Sequence, residues 1–214
     1  EFRLYSDLSN TSSIIIGTYV KFLSETDDAS GYLFAGDASK YDGSFDINNI
    51  AGYMQYEQKL NHRFTLSLNT RFETNQIKYS GKSNYYGNND TTITFETEDV
   101  LAGFRSALQY NINANAMMYG SISRGYKSGG INQNPYLSQA NRSYEPEYNW
   151  NYETGLKTYT SNMQSQLTLF YMNRVEQQVN ISSQQEEGNP NTFYFYTANA
   201  TTGYNFGMEF EHAF

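Results

Sequence analysis

Few residues in this chain could carry chemistry, and they fall into distinct sets. In 214 residues there are two histidines, His62 and His212, and no cysteine. His62 stands in a short polar turn and His212 on an apolar parity, so neither has a nucleophile or a metal-binding partner beside it. A Gly-rich phosphate loop and a Gly-x-Ser-x-Gly elbow are both missing. No catalysis, metal centre or cofactor is expected. A second set is charged and sits on the polar parity of alternating runs: Arg71, Glu73, Arg105, Glu153, Lys157, Arg174 and Glu209, with Glu211 beside them. Such groups can pair with one another across a shared wet face. A third set lies in or beside stretches rich in Gly, Asn and Ser: Tyr85, Tyr86, Tyr136, Arg142 and Tyr144. Aromatic faces and a guanidinium there suit the capture of a metal chelate or another scarce nutrient.

Elements with a period of two must position these groups. The clearest run is Phe64-Thr-Leu66-Ser-Leu68-Asn-Thr70-Arg-Phe72, apolar or Thr at even positions and polar at odd ones. Val100, Ala102, Phe104, Ser106, Leu108, Tyr110 and Ile112 alternate in the same way with Asp99, Gly103, Arg105, Gln109 and Asn111. Tyr204, Phe206, Met208 and Phe210 oppose Gly203, Asn205, Gly207, Glu209 and Glu211. Weaker alternation at 14–22, 50–56, 114–126, 148–159 and 163–175 brings the expected total to about nine strands. Helical periodicity is sustained nowhere. Short polar turns are expected at Ser9-Asn10-Thr11, Asn61-His62, Asn113 and Ser161-Asn162. Long loops are expected at 26–43, 81–94, 129–146 and 182–191.

Sorting of connections by length, with strands longer than the roughly 9–11 residues that cross a bilayer, predicts an all-β antiparallel transmembrane barrel. Soluble sandwiches and propellers use shorter strands and have no reason to sort their loops. Composition agrees. Aromatic residues make up 17% of the chain, with 21 Tyr and 14 Phe, and no stretch is apolar enough for a spanning helix. A mean hydropathy of −0.70 says nothing against a barrel, because its strands need apolar residues only at alternate positions. The net charge of −8, with 14 Lys and Arg in no run, excludes a nucleic-acid footprint. Lipid is the expected surrounding. Tyr148, Trp150 and Tyr152 fall on the lipid face and read as an interfacial girdle.

One segment stands where a strand meets a long loop: Ser123-Arg124-Gly125-Tyr126-Lys127-Ser128-Gly129-Gly130-Ile131-Asn132. It resembles a stretch in the barrels of TonB-dependent outer-membrane receptors, a siderophore-receptor-like family. Further matches follow in order: Tyr144-Glu145-Pro146-Glu147, Asn151-Tyr152-Glu153-Thr154-Gly155-Leu156-Lys157, Arg174-Val175-Glu176-Gln177, then Asn199 with Gly207-Met208-Glu209. The opening Glu1-Phe2-Arg3-Leu4 also matches, so the resemblance covers essentially the whole chain. The motif residues Gly125, Tyr126, Lys127, Gly129, Gly130 and Asn132 are its most specific part. The resemblance implies a bacterial outer-membrane barrel of about 22 strands with an N-terminal plug. Residues 1–214 are then expected to be a partial barrel domain, with the plug and closing strands elsewhere. The function implied is uptake of a ferric siderophore or similar scarce nutrient, energised through TonB acting on the plug. The charged lumenal set would meet that plug. A passive porin or adhesive barrel is the alternative.

Overall fold

The computed structural model describes residues 1–33, 38–84, 91–134, 137–184, 187–189 and 193–214. Nine strands form one antiparallel sheet: β1 (Phe2–Ser9), β2 (Ser12–Leu33), β3 (Ala38–Lys59), β4 (Phe64–Ser83), β5 (Thr91–Asn113), β6 (Ala116–Lys127), β9 (Glu147–Tyr159), β10 (Gln164–Gln184) and β11 (Phe193–Ala213). Between β6 and β9 the chain forms a two-residue ladder, β7 (Gly130–Ile131) with β8 (Ser143–Tyr144), and a 3₁₀ turn at Gln139–Asn141. Each of the nine strands pairs with its neighbours in order, and the sheet is an open arc ending at β1 and β11.

Register holds the two faces apart across the whole arc. Arg71 lies opposite Gly103 and Tyr53, and Phe72 opposite Ala102 and Gly52, so each parity stays on its own side from strand to strand. The outward side carries Phe22, Phe72, Val100, Phe206 and Phe210, each more than 60% exposed. A contiguous apolar face of that kind needs a hydrocarbon cover. Buried side chains collect on the other, concave side: Ala51, Ile77, Tyr79 and Leu101. Aromatic rings lie flat against this wall where a paired strand offers glycine. A Cβ on Gly155 would come 2.5 Å from the Tyr119 ring, and one on Gly207 2.7 Å from Phe170.

Side chains close the short turns. Asn61 Oδ1 accepts from the backbone N–H of Arg63 at 2.8 Å and Phe64 at 3.0 Å, and Asn113 Oδ1 accepts from Asn115 N–H at 2.8 Å. All four short turns fall at one end of the sheet, as the meander requires. At the other end the expected boundaries need correcting. Within the expected loops, residues 26–33, 38–43, 81–83, 91–94 and 182–184 are strand rather than loop: β2 and β3 pair up to Leu33 with Ala38, β4 and β5 up to Ser83 with Thr91, and β10 and β11 up to Gln184 with Phe193. Apolar alternation stops at the membrane margin, but backbone pairing continues with polar side chains on the outward face, including the Lys78–Glu96 ion pair at 3.4 Å. Among the described residues, the longest departure from the nine-stranded ladder lies between β6 and β9. The strands on either side of it, β6 and β9, have 12 and 13 residues, against 20 to 23 for β2–β5, β10 and β11.

Candidate functional site

Charged residues of the concave wall form local networks. Arg71 Nη2 pairs with Glu73 at 2.7 Å, and the Tyr126 hydroxyl joins them, donating to Glu73 at 2.9 Å and accepting from Arg71 Nε at 3.0 Å. Tyr126 reaches this pair because β6 separates from β5 beyond Arg124 and because Gly103 offers no side chain where the ring passes. Arg3, Arg71 and Arg105 line one concavity of about 440 Å³ with Tyr53 and Tyr126. Lower on the wall, the Tyr119 hydroxyl donates to Glu153 at 2.7 Å, and Lys157 Nζ stands 5.6 Å from the centre of the Tyr119 ring. Arg105, Glu153 and Lys157 therefore share a second concavity. Glu209, opposite Thr168, is exposed on β11.

At the opposite end from the short turns, residues 128–134 and 137–146 fold over the concave side as a strap. Its first anchor is the Gly129 N–H, which donates to Asp99 on β5 at 2.9 Å; a side chain at Gly129 would collide with the Tyr144 carbonyl. The second is the Asn132 amide. Its Oδ1 accepts from Thr197 N–H at 2.9 Å and its Nδ2 donates to Thr197 C=O at 2.8 Å, so the side chain takes the place of a strand neighbour on β11. At the far end Asn199 repeats the pattern, accepting from Glu145 N–H at 2.8 Å and donating to Glu145 C=O at 2.9 Å. The Asn199 amide also donates to Glu176 C=O at 2.8 Å, where Glu176 adopts a left-handed φ of 54°. Gln178 Nε2 closes the base of the strap, bonding Ser128 C=O at 2.8 Å and Glu145 C=O at 3.2 Å.

Glu147 locks this base. Its carboxylate accepts from Arg174 Nε at 2.7 Å and from Gln178 N–H at 2.9 Å, and its side chain is 9% exposed. Burial alone would raise its pKa; the Gln178 N–H and the Arg174 guanidinium outweigh that and hold it below the ordinary carboxylate range. Asp99 goes the other way, raised chiefly by burial despite the Gly129 N–H. Beneath the strap, Tyr41 and Tyr79 share a 2.7 Å hydroxyl contact, and Tyr41 reaches Gln133 on the strap at 3.5 Å. Desolvation pushes both phenols up.

The residues expected to grip a ligand fare unevenly. Tyr85, Tyr86 and Tyr136 lie outside the described residues. Arg142 and Tyr144 belong to the strap itself: Arg142 is 7% exposed, with Nη1 3.4 Å from the Asn134 carbonyl, and Tyr144 is half-buried with its ring over Gly130. Both stand in the segment between β6 and β9, as expected, and that segment folds inward over the concave side. Sequence reasoning passed over Asp99, Gln178 and Thr197 as chemistry. Glu147 entered only as part of a motif, although an acid directly after Pro146 and before an aromatic run was a usable signal.

A family model described as TonB dependent receptor-like, β-barrel, matches residues 2–214. The chain belongs to that family. The TonB-dependent receptors are transport receptors rather than enzymes, and their place is the outer membrane of Gram-negative bacteria. Solved structures share the fold. The ferric yersiniabactin uptake receptor FyuA from Yersinia pestis superposes with a TM-score of 0.77 at 19% identity, over 98% of this chain and 31% of that one. The ferric-catecholate import receptor Fiu from K12 E. coli gives 0.68 at 14% identity, over 98% and 34%. The alcaligin outer-membrane receptor FauA from Bordetella pertussis gives 0.52 at 14%, over 94% and 36%. The chain thus spans about a third of the length of these receptors.

Proposed function

We propose that this chain is part of the barrel wall of an active outer-membrane receptor that takes up a ferric siderophore or a comparable large, scarce nutrient, energised through TonB. The observation that supports this reading is the strap, which is tied by Gly129 to β5 and by Asn132 and Glu145 to β11 and so lies across the concave side of the wall. A passive porin needs a clear water path. A strap over buried tyrosines fits a pore that is normally shut and opened by work done elsewhere. Arg3, Arg71 and Arg105, facing one concavity with Glu1, offer a charged surface for contact with a plug. Glu153 and Lys157 offer a mixed one below it.

The test is uptake of radioiron delivered as a panel of ferric siderophores, in cells whose own siderophore receptors are deleted and which carry the full-length receptor, with and without TonB. Accumulation with TonB and none without is the expected result. Equal accumulation in both strains would make the barrel passive.

A further inference from the structure

The backbone hydrogen bonds of Thr197 on β11 go to a side chain. In an antiparallel pair each residue points its N–H and C=O to the same neighbour, and successive residues alternate sides. Thr197 lies opposite Asn180 on β10, yet its N–H donates to Asn132 Oδ1 at 2.9 Å and its C=O accepts from Asn132 Nδ2 at 2.8 Å. Gln178, two residues from Asn180 and so of the same orientation, gives its N–H to the Glu147 carboxylate on the β9 side. Both observations agree. At these pairs β10 faces β9, and Thr197 faces away from β10, toward the outer edge of β11 where the arc ends. With one donor and one acceptor, the Asn132 amide stands where the backbone of a following strand would stand.

The height of Thr197 permits this. The outward apolar run of β11 is Phe210, Met208, Phe206 and Tyr204, and Thr202, Ala200 and Ala198 follow it. Thr197 thus lies beyond the apolar belt, on the strap side. Within hydrocarbon an edge N–H or C=O has to be met by another strand, whereas beyond it a side chain or water suffices. Asn132 is itself held in place: its N–H donates to Arg142 C=O at 2.7 Å, and its Nδ2 donates to Asn141 C=O at 3.0 Å as well as to Thr197. A backbone N–H is a single donor, so Thr197 serves Asn132 or a following strand and not both. We propose that Asn132 ends the pairing of β11's outer edge: the strand that follows β11 in the intact receptor pairs with it on the membrane side of Thr197, and at Thr197 the strap closes the wall instead.

The test is amide hydrogen exchange of the full-length receptor in detergent, resolved to single residues by electron-transfer fragmentation. Ala198, whose N–H faces β10, is the internal reference. Asn132→Ala should speed exchange at Thr197 by at least about tenfold, as loss of one hydrogen bond implies, with Ala198 unchanged. Asn132→Asp keeps an acceptor for the Thr197 N–H and should restore most of its protection. If Thr197 is unprotected in the wild type, or exchanges no faster in Asn132→Ala, water or a following strand holds that N–H and the proposal fails. Equal acceleration at Ala198 would make Asn132 a general brace of the β10–β11 hairpin and would also overturn it. Should Asn132→Ala not assemble, Asn132→Ser replaces it: the shorter side chain does not span to both backbone atoms of Thr197, and the same readings decide.

Discussion

The strap depends on single residues, which makes it testable one residue at a time. Glu147→Gln leaves Arg174 without its partner and weakens the bond from Gln178 N–H, so local opening of 128–146 should become easier by about 1–3 kcal/mol. Amide hydrogen exchange across the strap reads this directly, and unchanged protection would remove Glu147 from the role. The sign of its pH dependence follows from its lowered pKa. The contribution is present above the unfolded value of 4.5 and is lost as pH falls through the depressed one, whereas Asp99, raised by burial, favours the fold at low pH and loses that contribution as pH rises. Gly129→Ala is a second probe. Its Cβ collides with the Tyr144 carbonyl, and the strap should loosen by about 1–3 kcal/mol with the ladder elsewhere intact. The glycines and Asn132 were legible from their order along the chain. Their partners on β5 and β11 were not, because Asp99 and Thr197 are made important only by what folds against them.

Strands were legible where one face is apolar and illegible where it is not. The runs at 64–72, 100–112 and 203–211 gave the correct faces, because alternation repeats the pleat. Above the membrane margin both faces are polar, and the pairing of β2 with β3 and β4 with β5 continues on hydrogen bonds that leave no mark on side-chain type. Face assignment predicts a sharp contrast between neighbours. Leu68→Arg, pointing outward, should impair assembly of the full receptor by roughly 2–4 kcal/mol near the midplane, while Asn69→Arg on the concave side assembles normally. Equal assembly of the two would invert the faces. Single cysteines at Gln139, on the strap, and Asn162, in a short turn, separate the two ends. Gln139 should be labelled in intact cells and Asn162 only after lysis; labelling of Asn162 from outside would overturn the orientation.

As a whole, the described sheet is an arc with two free edges, β1 and β11. In hydrocarbon each unpaired backbone N–H or C=O costs several kcal/mol, so an arc of nine strands is viable only when further strands close it. The span of about a third of the related receptors agrees with that. Apolar alternation announced the barrel, but closure is a property of edges, on which no single strand reports. The most direct measurement is therefore expression of residues 1–214 alone, beside the full-length receptor, in a host able to assemble outer-membrane barrels. Heat-modifiable migration and protease resistance would be read for each. The full receptor should give a folded, protease-resistant monomer and the isolated residues only aggregated or degraded chain; a folded, protease-resistant monomer of 1–214 would contradict the account.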